Sequence, residues 1–290
     1  MKNMIKNRCA WLLVAFACVI CVSCIQNPSV EARRTKNVVF IIKTLNVVTE
    51  PMQISRADGM RAPIYDDDDG GQELTDLYFF VDGDLACHQK NSQSYFGAIE
   101  LEMEYGEHDV TVVATRSDGQ QLTNGVLEVE ALKPTFGLRE RITVLDVNDS
   151  FVLEITRITA SLLVEINDAI PEGASFVRIQ IAEKYDDLSV SDFSGLNAYD
   201  YTKDIPIDGM VGNTGVVLSI AMLCPQYLSA YSTDVDITIY NENGGVISHH
   251  AIDDVPIKSN TKTRIFGDFF TPISFSVMVN YDWDEGVDVW

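Results

Sequence analysis

Apolar and polar side chains alternate along nearly every segment of the chain after residue 36. In residues 99–105 (IELEMEY), three glutamates separate four large apolar or aromatic side chains. A spacing of two places successive side chains on opposite faces of a β-strand with one buried face. Residues 109–115 (DVTVVAT) and 126–129 repeat the pattern, with Asp118-Gly119 and Asn124-Gly125 as turns between them. No stretch carries a 3.6-residue apolar stripe, so the sequence predicts an all-β chain built of antiparallel β-sandwiches.

The length of the chain predicts two such domains in tandem. A domain averages roughly 150 residues, and the chain has 290. The strand-like stretch from Phe151 to Ile166 is too long for one ordinary strand, so we expect it to end one domain and begin the next near Arg157. Residues 183–214 are rich in Asp, Ser, Gly and Asn, which favours a long loop. The predicted N-terminal sandwich therefore spans residues 62–156 and the C-terminal sandwich residues 157–290. Ahead of them we expect a signal peptide over 1–23 and a lipidated segment with a removable first strand over 24–61, for the reasons given below.

The first 24 residues have the pattern of a bacterial lipoprotein signal. Lys2, Lys6 and Arg8 precede an apolar run from about Cys9 to Val22, which is shorter than the roughly 20 residues of a spanning helix. The run ends at Val22-Ser23-Cys24, as in a lipobox, so 1–23 is predicted to be a signal peptide and Cys24 a lipidated residue. The alternative is an ordinary secretory signal with an incidental cysteine.

The charge excludes one class of partner. The formal net charge is -22 at pH 7, whereas nucleic-acid binding is driven by an excess of Lys and Arg. We therefore expect no nucleic-acid partner. Because the chain is acidic, we also do not expect it to spread over an anionic lipid surface.

The sequence has no recognisable catalytic motif, so no enzymatic activity, catalytic residue or cofactor is predicted. It lacks the G-x-S-x-G, H-E-x-x-H, P-loop and G-x-G-x-x-G patterns. Asp66 to Asp69 lack the ligand spacing of a calcium loop, which favours a solvated segment, and no metal site is predicted. Cys87 and Cys224 fall in different predicted domains, which favours two free thiols over a disulfide. A solvated or structural role is also expected for the four histidines: His88, His108, His249 and His250.

Two segments are unusual for a soluble sandwich. The first, Asn37 to Val48, is apolar on both faces of a strand and is followed by a polar stretch that contains Arg56 and Arg61. Exposed polar stretches of this kind are preferred sites of proteolysis. The second lies near the C-terminus, where six large apolar residues alternate with Ser274, Ser276, Met278, Asn280 and Asp282. The six are Ile273, Phe275, Val277, Val279, Tyr281 and Trp283.

This second segment has two interpretations. It is either the last strand of its own sandwich or a strand that is added to a neighbouring molecule. In strand addition, main-chain bonds give affinity and alternate side chains give specificity.

The order of these elements resembles that of the fimbrillin superfamily, the lipoprotein subunits of type V fimbriae. The matching features are the lipobox at Cys24, the strand with its arginine-bearing linker, the acidic stretch before residues 74–82, the second-domain opening at 155–164, and the stretch 255–270. The last of these is the most specific, with Asn260 and Thr261 followed by Ile265-Phe266-Gly267-Asp268-Phe269-Phe270.

The resemblance implies two transthyretin-like domains and assembly by donor-strand exchange on the outer membrane. In that scheme a protease cuts after Arg61 or Arg56, Asn37 to Val48 is expelled, and residues 273–283 of the next subunit fill the groove. The implied partners are other fimbrial subunits, the outer membrane through the lipid, and a host or bacterial surface ligand. Whether the chain is a stalk, anchor or tip subunit stays open.

Two other functions also stay open. One is a monomeric surface lipoprotein that binds a carbohydrate or protein ligand, for which Tyr199, Tyr201, Tyr227 and Tyr231 are weak candidates. The other is a hydrolase, which would need converging acid and base groups that the sequence does not show.

Overall fold

The fold is that of a computed structural model, which describes residues 34–43, 64–65, 74–116, 120–129, 132, 134–225, 229–271 and 274–280. These residues form nineteen strands and one short 3-10 turn at Asp208–Met210. The strands are β1 (Thr35–Lys43), β2 (Ile64–Tyr65), β3 (Asp76–Val81), β4 (Asp84–Lys90), β5 (Ala98–Glu104), β6 (Gly106–Thr115), β7 (Gln120–Thr123), β8 (Val126–Val129), β9 (Phe136–Val144), β10 (Ser150–Glu154), β11 (Thr156–Arg157), β12 (Thr159–Ile166), β13 (Ala174–Ser189), β14 (Gly195–Pro206), β15 (Val216–Leu223), β16 (Ala230–Asn241), β17 (Val246–Lys258), β18 (Lys262–Asp268) and β19 (Ser274–Asn280). The prediction of an all-β chain is confirmed.

The first sandwich consists of a three-stranded and a five-stranded sheet. The three-stranded sheet has the order β10-β1-β5, and the five-stranded sheet has the order β11-β9-β6-β3-β4. Apolar side chains from both sheets form one buried core, in which Phe40, Phe79 and Phe136 are among the largest fully buried side chains.

The second sandwich packs a five-stranded sheet against a six-stranded one. Their orders are β19-β18-β12-β15-β2 and β17-β16-β13-β8-β7, with β14 paired to β13. Their core is aliphatic, with Leu162, Val177, Leu218 and Ile237 fully buried. Every residue of β12 is buried, because apolar residues fill its inner face and paired polar groups such as Glu165 lie on the other.

Most pairs of the described strands are antiparallel, but three are parallel. Strand β1 runs parallel to β10, β12 runs parallel to β18, and β2 runs parallel to β15. Each parallel pair joins strands that are distant in sequence, as expected because a parallel pair needs a long connection. Turn residues in the sequence indicate only hairpins between successive strands, which are antiparallel. The sequence therefore predicted antiparallel pairs and no parallel ones.

The chain crosses between the two sandwiches more than once. The long stretch at Phe151 to Ile166 breaks into three strands, and β11 pairs with β9 of the first sandwich while β12 lies in the second. The β7–β8 hairpin, within the range 62–156, pairs instead with β13 of the second sandwich. A third apolar cluster, with Phe80, Leu127 and Phe193, fills the junction. The domain boundary near Arg157 stays a prediction.

The expectation of a long loop over residues 183–214 is wrong. Most of these residues form the β13–β14 hairpin, which has a bulge between Ile181 and Lys184. Strand β14 is at an edge and exposes most of its residues, so its polar composition resembles that of a loop.

Candidate functional site

The predicted removable strand lies in the middle of the three-stranded sheet. Strand β1 pairs antiparallel with β5 from Thr35↔Glu104 to Ile41↔Ala98, and parallel with β10 from Val39↔Ser150 to Lys43↔Glu154. Further main-chain bonds run from the Val39 amide to the Asp149 carbonyl (2.9 Å) and from the Ile42 amide to the Gly97 carbonyl (2.8 Å). Without β1, strands β5 and β10 would have a gap of one strand width between them.

The inner face of β1 completes the core of the first sandwich. Val38 and Phe40 are fully buried, and Ile42 is 6% exposed. The Phe40 ring lies 4.7 Å from that of Phe79 and 5.6 Å from that of Phe151, measured between centroids. Burial of each such side chain contributes about 2 kcal/mol. The three side chains therefore fill an apolar slot between β5 and β10.

The outer face of β1 is apolar only at Val39 and Ile41, which lie between the polar residues Asn37 and Lys43. Val39 and Ile41 are 36% and 45% exposed, and Val152 of β10, opposite Ile41, is 54% exposed. The Lys36 ammonium ties the start of the strand to the Asp149 carboxylate (2.6 Å) and the Asp146 carbonyl (2.7 Å). Residues 44–48 lie outside the described residues.

The predicted donor strand coincides with β19, at the edge of the second sandwich. Among the strands that the structure describes, β19 pairs only with β18, from Lys262↔Asn280 to Asp268↔Ser274. Val277 and Met278 are 40% and 42% exposed. Of the other donor residues, Phe275 and Val279 are described only as positions in this strand. Ile273, Tyr281 and Trp283 lie outside the described residues.

The predicted lipidation and cleavage sites cannot be placed in the fold. Cys24, Arg56 and Arg61 all lie outside the described residues, as do Asp66 to Asp69 and Tyr227. In the part of the chain that the structure describes, no helix is long and apolar enough to cross a membrane.

The histidines and cysteines have structural surroundings. The His88 Nε2 lies 2.7 Å from the buried Asp76 carboxylate, and the His250 Nε2 lies 3.0 Å from the Phe269 carbonyl. Cys87 and Cys224 are free thiols, and burial raises the pKa of Cys87. The described ranges contain no group of three or more His, Cys, Asp or Glu residues that could hold a metal ion.

The residues that receive β1 were not identified from the sequence. Phe79, Ile99, Phe151 and Leu153 line the same core as Phe40 but belong to three different strands. The sequence pattern predicts strands at these positions, but it carries no information on which strands are neighbours. A polar groove at the junction of the sandwiches was missed for the same reason.

The comparisons with known proteins give one partial family match. Residues 197–289 match a family of unknown function (DUF6562). A search of curated proteins finds no match.

Several solved structures are similar to most of the chain. A candidate adhesin from Bacteroides ovatus is 9% identical, with a TM-score of 0.49, covering 87% of this chain and 96% of that one. A candidate cell adhesion protein from Bacteroides eggerthii is 11% identical, with a TM-score of 0.48 and coverage of 86% and 96%. A fimbrial assembly protein from Parabacteroides distasonis is 11% identical, with a TM-score of 0.42 and coverage of 85% and 99%.

Proposed function

We propose that this protein is a structural and adhesive subunit of a cell-surface fimbria, assembled by donor-strand exchange. In this proposal a lipid on Cys24 holds the precursor at the outer membrane, and a protease then releases β1. The observation that carries the proposal is the position of β1 as the central strand between β5 and β10. No enzymatic activity is proposed.

The place of β1 in the chain suits it for removal. It is the first described strand, and its link to the rest of the chain runs through residues 44–63. Both Arg56 and Arg61 fall in that link. A cut after either leaves β1 held mainly by two ladders of main-chain bonds and one apolar face, with the contacts of Lys36 to Asp149 and Asp146 at its start. These contacts depend on backbone and on side chains at a spacing of two, so another strand can replace them.

The C-terminal segment has the side chains that such a slot requires. Its six large apolar residues alternate from Ile273 to Trp283. At about 25 cal/mol per Å² of apolar area, their burial gains on the order of 10 kcal/mol before entropic costs. Because donor and slot lie on different parts of the molecule, each subunit can receive one neighbour and supply the next. Such head-to-tail contacts build an open filament.

Other proteins with similar structures are described as candidate adhesins and as a fimbrial assembly protein. Their descriptions fall in the proposed class, but the proposal rests on β1 rather than on these similarities.

Arginine-specific proteolysis of the purified protein tests the proposal. We expect a chain that begins at Ala62 or Ala57, loss of β1, and a ladder of polymers on an unboiled gel. The matched control is the double variant Arg56→Lys/Arg61→Lys, which keeps both charges but is not a substrate for such a protease. Cleaved wild-type protein that stays monomeric, or a control that polymerises equally, contradicts the proposal.

A deletion of residues 273–290 tests the donor separately. We expect the truncated protein to fold and to form no polymer after cleavage. If it is insoluble instead, β19 is an integral strand of its own sandwich.

A further inference from the structure

A polar groove opens where the two sandwiches meet, on the side where two tight turns face each other. It is a cavity of about 550 Å³ between the β3–β4 turn, the β7–β8 turn and the end of β13. We call it the turn groove. Its polar lining includes Asp82, Asp109, Thr111, Asn124, Arg139 and Ser191. The volume lies within the range of about 300–1,000 Å³ that is usual for small-molecule sites.

Backbone geometry holds the two turns in fixed positions. Asp82 and Gly83 have φ values of 53° and 90°, and Asn124 and Gly125 have φ values of 50° and 77°. Two successive residues with positive φ form the tight hairpin turn that matches the twist of paired strands. The Val190 amide also donates to the Gly125 carbonyl (2.9 Å), which fixes the second turn against β13. A groove held in this way needs little ordering when a ligand binds.

The two carboxylates of the groove already have partners. Asp82 accepts from the His108 Nδ1 (2.7 Å) and from the Asp109 amide (2.9 Å). Asp109 accepts from Arg141 at both oxygens (2.8 and 3.2 Å). The Arg141 guanidinium, and to a lesser degree the charge of Arg139, hold the pKa of Asp109 below its ordinary value. The groove is therefore a poor site for a metal cation or a basic peptide.

Other polar groups of the groove remain available to a ligand. Within the described residues, Arg139 makes no hydrogen bond or ion pair, and the side chains of Thr111 and Asn124 make no hydrogen bond. Together they offer guanidinium, hydroxyl and amide groups, which donate and accept in several directions. Val126 adds apolar surface to the same lining, whereas Phe80 and Val190 are only 5% and 2% exposed and add little.

We propose that the turn groove binds a neutral sugar, such as one or two pyranose rings of a surface glycan. A sugar presents hydroxyl groups, which suit the donors and acceptors of Thr111, Asn124 and Arg139, and C–H faces, which suit the apolar lining. An anionic ligand fits less well, because Arg139 lies close to Asp109 and the net charge of the chain is -22. The inference does not depend on strand exchange, since the groove is complete in a single chain.

Saturation-transfer NMR and calorimetry on the purified full chain test the proposal. The panel holds neutral sugars (glucose, galactose, mannose and N-acetylglucosamine, with their β-linked dimers) and two acidic ones (glucuronate and N-acetylneuraminate). We expect at least one neutral sugar to bind saturably. Binding of the acidic sugars alone, or no binding of any neutral sugar at millimolar concentration, overturns the proposal.

Two variants locate the site. Asn124→Gly removes the amide but keeps a residue that adopts positive φ, and Arg139→Gln removes the charge at an exposed strand position. We expect each to weaken binding of the neutral sugar by about two- to tenfold, the effect of one lost polar contact. The control is Asn260→Gly, another turn residue with positive φ (57°), which lies outside the groove. Wild-type affinity in both groove variants would assign the sugar to another surface and overturn the proposal.

Discussion

The ring of Phe40 in β1 packs 4.7 Å from the ring of Phe79 in β3, between centroids. Both side chains are fully buried, and they belong to opposite sheets of the first sandwich. This contact links the proposed removable strand to the part of the core that stays behind. A side chain that replaces Phe40 must therefore fill the same volume against Phe79.

Truncation of Phe40 is expected to destabilise the protein far more than truncation of its neighbour. Phe40→Ala leaves a cavity in the core and should lower the free energy of unfolding by about 3–5 kcal/mol. Ile41→Ala changes the next residue on the same strand, whose side chain is 45% exposed, and should cost about 1 kcal/mol or less. Urea unfolding followed by circular dichroism measures both. Equal losses would mean that the inner face of β1 does not contribute to the core.

A negative charge introduced into β19 is expected to block assembly when it lies on the same face as Val277, but not when it lies on the opposite face. Val277 belongs to the alternating donor set and Met278 points to the opposite face, yet the two are exposed to nearly the same extent (40% and 42%). Val277→Asp would bring a carboxylate into an apolar slot, which is strongly unfavourable, whereas Met278→Asp would leave it in solvent. We expect only Val277→Asp to abolish the polymer ladder after cleavage. Equal effects of the two variants would exclude a donor strand that inserts with the side chain of Val277 in the slot and that of Met278 in solvent.

The ion pair between Glu165 and Arg264 is expected to matter more than the surface pair of Asp109 and Arg141. The Glu165 side chain is 5% exposed, while those of Asp109 and Arg141 are 45% and 66% exposed. Arg264→Ala leaves a buried carboxylate without its partner and should cost about 3–5 kcal/mol. Arg141→Ala removes an exposed pair that solvent screens, so its loss should be much smaller. Thermal or urea unfolding of the two variants compares them directly, and a smaller loss for Arg264→Ala would contradict this ranking.

His108 is expected to make stability depend on pH. Burial lowers the pKa of this histidine, but the hydrogen bonds to Asp82 (2.7 Å) and to the Glu104 carbonyl (3.0 Å) outweigh burial and raise it. Both nitrogens can donate only in the protonated ring. Because the folded-state pKa is raised, this stabilisation is complete below the unfolded value of about 6.5 and is lost as the pH rises through the folded value.

The variant His108→Gln measures that contribution. The urea midpoint of unfolding of this variant should fall further below that of wild type near pH 5.5 than near pH 8.5. The control is His249→Gln, which changes a more exposed histidine. A loss that does not change with pH would show that His108 has only a packing role.

The sequence predicted the fold class and several strands because alternation is a local property. Residues 99–105 and 109–115 fall in or beside strands β5 and β6, and the stretch 151–166 breaks on either side of Arg157. What alternation cannot provide is the identity of neighbouring strands. The parallel contact of β1 with β10 joins residues more than a hundred positions apart, and β7–β8 crosses to the other sandwich. Both arrangements depend on the shape of the complete core.

The sequence predicted the strands of the proposed exchange site, but not the slot into which they fit. The apolar alternation of β1 and of the C-terminal segment is visible in the sequence, but the slot that β1 fills is built from β3, β5 and β10. The turn groove shows the same limit. Its Asn124-Gly125 turn is evident from the sequence, whereas the approach of that turn to Asp82 and Arg139 follows only from the packing of the two sandwiches.

The most direct test of strand exchange is the N-terminus and intact mass of the protein taken from native cell envelopes. The account predicts a chain that starts at Ala62 or Ala57, without lipid and without β1. A chain that carries lipid on Cys24, with β1 still attached behind it, would contradict the proposed processing and with it the exchange of β1 for a neighbouring strand.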